Sequence, residues 1–88
     1  MDGYPRVSSG SFGEVGDAEV GLWQVTEGTV RDTEVDEIFV VLSGSARIDF
    51  EDGEQLEVGE GSVVRLRAGE RTIWRVRSTL RKLYVSLG

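Results

Sequence analysis

Glycine is the residue that limits what this chain can fold into. Gly28, Gly44, Gly53, Gly59, Gly61 and Gly69 separate short runs rich in Val, Ile, Thr and aromatic residues. Runs of that length, bounded by residues that supply turn conformations, make strands of a sheet. No window carries a 3.6-residue apolar period through three turns. Glycine stands at 12 of 88 residues, about twice its usual share. Eighty-eight residues leave room for one domain, and turn signals so closely spaced suit a sandwich or a barrel.

The strand readings follow from period-2 alternation. Residues 19–26 place Val20, Leu22 and Gln24 on one face, and 36–42 form a second strand. In 45–50, Ala46, Ile48 and Phe50 alternate with Ser45, Arg47 and Asp49. Asp52-Gly53 is a hairpin turn, because glycine supplies the positive φ that a tight turn needs. Short strands follow at 55–58 and 62–67, the latter with Val64 and Leu66 opposite Val63, Arg65 and Arg67. Residues 72–77 set Thr72, Trp74 and Val76 against Ile73, Arg75 and Arg77, and 81–87 put Leu83, Val85 and Leu87 on one face. Residues 1–18 read as a loose, Gly/Ser-rich N-terminal segment, with Tyr4 or Phe12 as its apolar contacts to the barrel, and 19–88 as the domain. The segment 38–42 is apolar on both faces, whereas a strand with one wet face would alternate. It predicts a homodimer through the outer face of Ile38, Val40 and Leu42.

Bulk properties exclude several classes. A net charge of −6 argues against a nucleic-acid partner. No apolar run approaches the length of a membrane span and no signal-peptide pattern opens the chain, so no membrane is expected and the cytoplasm is the default compartment. Without cysteine there is no disulfide and no thiolate metal site. Charge is unevenly spread: residues 1–60 hold three basic and fifteen acidic side chains, and residues 61–88 hold seven basic and one acidic. Either the two halves interleave their surface charges, or the basic half forms a patch for an anionic ligand.

Glu37, six residues and Gly44 resemble the end of the first cupin motif. Gly61, Arg67, Gly69 and Thr72 fall at the spacing of the second, with Arg67 at its proline and Thr72 at its histidine. Gly21-Leu22-Trp23, Asp36-Glu37, Asp52-Gly53, Trp74-Arg75-Val76 and Arg81-Lys82-Leu83-Tyr84 together resemble the small one-domain cupins grouped with the ureidoglycine aminohydrolase cupin domain. The resemblance covers residues 19–87 and implies a small cupin-type jelly-roll β-barrel (RmlC-like, a double-stranded β-helix).

Such cupins hold Fe, Mn, Ni or Zn through two or three histidines and one glutamate, a set of neutral nitrogen plus anionic oxygen. This chain has no histidine. Its matching positions lie near Arg31 and Thr33 and at Thr72, and Glu37 alone keeps the ligand type. The expectation is therefore no metal and no cofactor. The acidic run of Asp32, Glu34, Asp36 and Glu37 reads as a solvated loop before a strand, with Glu37 on the face away from Glu34 and Asp36. Glu37 either forms an ion pair, with Arg31 as a candidate, or is a buried carboxylate with a raised pKa that serves as a general base. Trp23 and Trp74 either fill the core or wall a ligand pocket; Thr72 shares a face with Trp74, and Phe39 shares one with Glu37. The expected ligand-binding set is Trp23, Arg31, Glu37, Phe39, Thr72 and Trp74. The functional expectation is a metal-free cupin that binds a small organic molecule, an anionic one among the candidates. The alternative is an enzyme: either the ammonia-releasing chemistry the resemblance implies, or metal-independent acid/base catalysis by Glu37.

Overall fold

The computed structural model describes residues 5–87, so Tyr4 lies outside the described residues. Seven strands make up the fold: β1 (Val7–Val15), β2 (Ala18–Val25), β3 (Gly28–Thr33), β4 (Glu37–Phe50), β5 (Gln55–Val58), β6 (Val63–Leu66) and β7 (Arg71–Ser86). Every pairing among them is antiparallel. Among the described residues no helix is long and apolar enough to cross a membrane.

The two long strands are the spine. β4 and β7 pair from Glu37↔Ser86 to Phe50↔Thr72, and the register slips between Val41 and Ala46. That slip bends both strands and divides them between two sheets. On one side of the bend β4 pairs with β6 and β7 with β2, which carries β1 at the edge. On the other side β4 pairs with β5 and β7 with β3. The inner faces meet: the ring of Trp23 from β2 lies 5.4 Å from that of Trp74, which comes from the other half of the bend. Phe39 closes on Trp74 at 5.6 Å. Phe39, Val41, Ile48, Leu66, Trp74 and Leu80 are all but fully buried there and form the centre of the core. The result is an all-β, jelly-roll-like barrel.

Three readings change. The strands expected at 36–42 and 45–50 are one strand, as are those at 72–77 and 81–87. Ser43-Gly44-Ser45 looks like a turn, but the ladder to β7 continues across it as a bulge. Residues 28–33, given no strand in the sequence reading, form β3. The segment expected to be a loose leader contains β1, whose Gly- and Ser-rich backbone is held by its ladder to β2 in spite of weak strand propensity. Phe12 does not tuck in; its side chain is 68% exposed.

The uneven charge resolves into interleaving. Arg75 pairs with Asp49 at 2.8 Å, Arg77 with Glu57 at 2.5 Å, Arg65 with Asp36 at 3.4 Å and Arg71 with Glu51 at 3.6 Å. Each of these pairs joins the basic third of the chain to the acidic part. The Arg75 guanidinium holds the Asp49 carboxyl below its usual range, and Arg77 does the same for Glu57. The arginines stand on exposed positions in water, where such pairs add little to stability.

The outer face of the first sheet remains apolar. Ile38 and Leu42 are exposed, Val40 is half-buried, and Val63 and Val85 extend the patch. β1 runs beside β2 at the sheet edge instead of lying over this face.

Candidate functional site

The mouth of the barrel is lined by side chains from β2, β7 and the β3–β4 connection. Trp23 on β2 stands in register with Lys82 on β7, and Phe39 on β4 with Tyr84. Strand parity thus aims Trp23, Phe39, Lys82 and Tyr84 inward, while Leu22, Leu83 and Val85 face out. In the other half, Thr72 and Trp74 pair with Asp32 and Val30 of β3. A cavity of about 190 Å³ is lined by Trp23, Asp32, Glu34, Glu37, Trp74 and Lys82, among others.

Two buried polar clusters organise this cavity. In the first, Lys82 Nζ donates to Glu37 Oε2 at 2.5 Å, with both residues under 9% exposed. The same ammonium lies 4.3 Å from the ring centre of Phe39, 4.8 Å from Trp23 and 5.0 Å from Trp74. A cation over aromatic faces is held by their negative quadrupoles. In the second cluster, Glu34 Oε2 accepts from Thr72 Oγ1 at 2.6 Å and from Trp74 Nε1 at 3.1 Å. Glu34 is 6% exposed. Burial raises its pKa above the ordinary carboxylate range, with the Asp32 charge adding to the rise, while the bonds from Thr72 and Trp74 and the charge of Lys82 oppose it. Tyr84 donates to Glu19 at 3.2 Å, and burial and that carboxylate raise its phenol.

A raised carboxyl pKa has a definite consequence for stability. The fold favours the protonated form of Glu34, so its contribution is full below the ordinary carboxylate range and is lost as pH rises through the raised value. Asp49 and Glu57 act with the opposite sign, but equally in a variant altered only at Glu34. Glu34→Gln is thus expected to gain stability relative to wild type as pH rises above the ordinary carboxylate range in urea titrations. A difference between the two proteins that is flat with pH would remove this role.

Of the six expected ligand-binding residues, Trp23, Glu37 and Trp74 line this cavity, and Phe39 and Thr72 stand behind it in contact with Lys82 and Glu34. Arg31 does neither. It is exposed and stands opposite Ile73, so it faces away from Thr72 and Trp74, and Asp32 takes the inward position. A one-residue register shift turns every side chain of a strand over. Glu37 accordingly pairs with Lys82 and not with Arg31. Glu34 is no solvated loop residue: residues 34–36 leave the strand, which resets the parity and brings Glu34 and Glu37 to the same cavity. The sequence reading also missed Lys82, which looks like surface charge beside Arg81. The signal was present, since alternation with Leu83 and Val85 puts Lys82 on the face of Tyr84.

A larger hollow lies elsewhere, about 480 Å³ beside Arg31, Asp32, Asp49, Glu51, Arg71 and Ile73. Three of the charged groups that line it are engaged in surface pairs, Arg71 with Glu51 and Asp49 with Arg47 and Arg75. Among the described residues, the buried Glu34, Glu37, Thr72 and Lys82 gather at the barrel mouth.

The residues present do not fit the metal of other cupins. The positions that match histidine hold Arg31, Thr33 and Thr72, and the carboxylate of Glu37 faces an ammonium. Among the described residues no three His, Cys, Asp or Glu side chains gather with metal-binding geometry.

Two sheets sharing a bent pair of strands, with the first-motif glutamate buried at the open end, define a cupin. The family follows from comparison: residues 12–84 match the profile of the EutQ-like cupin domain, and the chain belongs to that family. The solved EutQ protein of Clostridium difficile superposes with a TM-score of 0.78 at 21% identity, over 91% of this chain and 66% of that one. A Rhizobium leguminosarum protein of unknown function gives 0.81 at 25% identity, over 91% and 79%. A cupin superfamily protein of Desulfitobacterium hafniense gives 0.76 at 16%, over 93% and 77%. This chain therefore spans slightly less than two thirds of the C. difficile protein. Comparison with curated proteins gave no match.

Proposed function

We propose that the chain is a small-molecule-binding cupin that holds its ligand with side chains and without a metal. The carrying observation is the cavity at the barrel mouth, where three carboxylates, one ammonium and two indoles converge. At about 190 Å³ it is smaller than the roughly 300 Å³ at which pockets begin to take drug-sized ligands. The charge of the lining moves the expectation from an anion towards a donor-rich or cationic molecule. Lys82 is already paired with Glu37, and Glu34 already accepts from Thr72 and Trp74. Asp32 remains to accept from a ligand, with the faces of Trp23 and Trp74 to stack on it. The likeness to ureidoglycine aminohydrolase cupins would carry ammonia release, but that activity depends in those proteins on a metal that these residues do not fit. Binding is the reading that matches the side chains.

The emission of Trp23 and Trp74 reports on the pocket directly. Titration with small amines, polyols and carboxylates is expected to give saturable changes for amines or polyols, with a matching rise in melting temperature. Trp23→Ala is expected to keep the fold and lose the response. Response to carboxylates alone would restore the anionic reading, and no response across the panel would leave the barrel without this function.

The proposal includes a homodimer through Ile38, Val40 and Leu42. An exposed apolar patch of this kind on a small domain marks an interaction surface. The native mass is expected to be twice the 9.7 kDa of one chain, and Ile38→Lys is expected to halve it. A wild-type monomer at micromolar concentration would remove the interface.

A further inference from the structure

We infer that Lys82 is the pocket's built-in cation: Glu37, Trp23, Phe39 and Trp74 form an ammonium cage that the chain fills with its own side chain. The inference rests on the ion pair and the rings, and it stands whether or not the cavity takes a free ligand.

A lysine ammonium is strongly hydrated, and burying it is costly unless other groups replace the water. Lys82 is 5% exposed, and its ammonium has protein partners in place of water. A carboxylate accepts from it at 2.5 Å, and three ring centres lie between 4.3 and 5.0 Å from its nitrogen. The second carboxyl, Glu34, is near enough for its charge to feel the lysine. These partners come from separate parts of the chain: Trp23 from β2, Phe39 and Glu37 from β4, and Trp74 from the far end of β7. Lys82 is placed where rings from both halves of the barrel converge. The glutamate that a metal cupin would set against its ion is here set against an ammonium. The missing histidines and the buried lysine are thus two sides of one arrangement, in which a tethered monovalent cation balances the surviving acid.

The tether makes the inference testable, because Lys82→Ala deletes Cγ, Cδ, Cε and Nζ, which together are a propylammonium ion. The full chain carrying Lys82→Ala is melted by circular dichroism in rising n-propylammonium chloride, n-propanol or MnCl₂, with ionic strength held by NaCl. The variant is expected to melt more than about 10 °C below wild type, since it leaves a buried acid without its partner. Propylammonium is expected to restore much of that loss saturably, well beyond propanol, and to leave wild type unchanged. Equal rescue by propanol would mean that the cage reads apolar volume, and rescue by Mn²⁺ in preference to propylammonium would mean that it reads a metal; either overturns the inference. Lys82→Met, alone and with Glu37→Gln, supplies a second readout should Lys82→Ala not fold. The double variant is expected to melt above the single one, because it removes the stranded charge. Losses that simply add, or a single variant as stable as wild type, would also overturn it.

Discussion

Trp74→Ala is expected to lower the unfolding free energy by about 3–5 kcal/mol, the range for removing a buried aromatic side chain. Trp74 is 1% exposed, and its ring packs on Trp23 and Phe39 where the two sheets meet. Its truncation therefore opens a cavity where side chains of both halves of the barrel pack together. The loss has a polar part as well, since the Nε1 donor to Glu34 disappears and Thr72 is left as that carboxyl's remaining side-chain donor. Trp74→Phe separates the two parts. It keeps most of the volume and loses the donor, and should cost about 1–3 kcal/mol. Urea titration at fixed pH reads both, with the midpoint falling and the slope unchanged. A small domain has roughly 5–15 kcal/mol to lose, so the alanine variant is expected to approach the edge of folding. A cost below about 1 kcal/mol for the alanine variant would mean that Trp74 does not join the sheets.

Gly44→Ala is expected to be comparably damaging for a different reason. Gly44 sits at the bend of β4 with φ near +91°, and a Cβ there would lie 2.1 Å from the Thr79 carbonyl oxygen and 2.7 Å from Leu80 Cα. Both clashes are with backbone, so no side chain can turn aside to relieve them. The bend would have to open, and with it the ladder that joins β4 to β7. Left-handed φ in a non-glycine residue costs about 1–3 kcal/mol, and overpacking adds about 1–3 kcal/mol more. Gly53→Ala is the control. Gly53 has φ near +97° in the hairpin, and nothing lies within 4 Å of its added Cβ, so only the backbone part should appear. Thermal melts of the two variants side by side give the comparison. Equal losses would show that the close approach at Thr79 carries no weight.

Much of this barrel could be read from alternation alone. The hairpin at Asp52-Gly53, the inward Val64, Leu66, Thr72, Trp74 and Val76, and the outward arginines all follow from period 2 within short strands. Reading failed where the chain bends. At Ser43-Gly44-Ser45 a bulge and a turn have the same composition, and only the partner strand decides between them. It failed again at 31–36, where β3 had no apolar pattern to fix its register, so Arg31 was turned inward and Glu34 outward. At β1 the backbone hydrogen bonds to β2 supply what the side chains lack.

The pocket was half legible. Glu37, Thr72, Trp23, Trp74 and Phe39 were found by motif spacing and parity, because those signals are local. Glu34 reads as part of a solvated acidic run and Lys82 carries no site signal beyond its strand parity, because burial of a charge depends on partners distant in sequence. Glu37 lies 45 residues from Lys82, and Glu34 lies 40 from Trp74. The absence of histidine says that the familiar ligands are missing; the position of Lys82 says what faces the glutamate in their place.

The most direct measurement is the native mass of the untagged protein, taken before and after exposure to Mn²⁺, Fe²⁺, Ni²⁺ and Zn²⁺. If Lys82 is the pocket's cation, the mass should equal that of the bare polypeptide in every spectrum, whatever the number of chains. One metal ion retained per chain, and lost in Glu37→Gln, would contradict the assignment and make Glu37 a metal ligand.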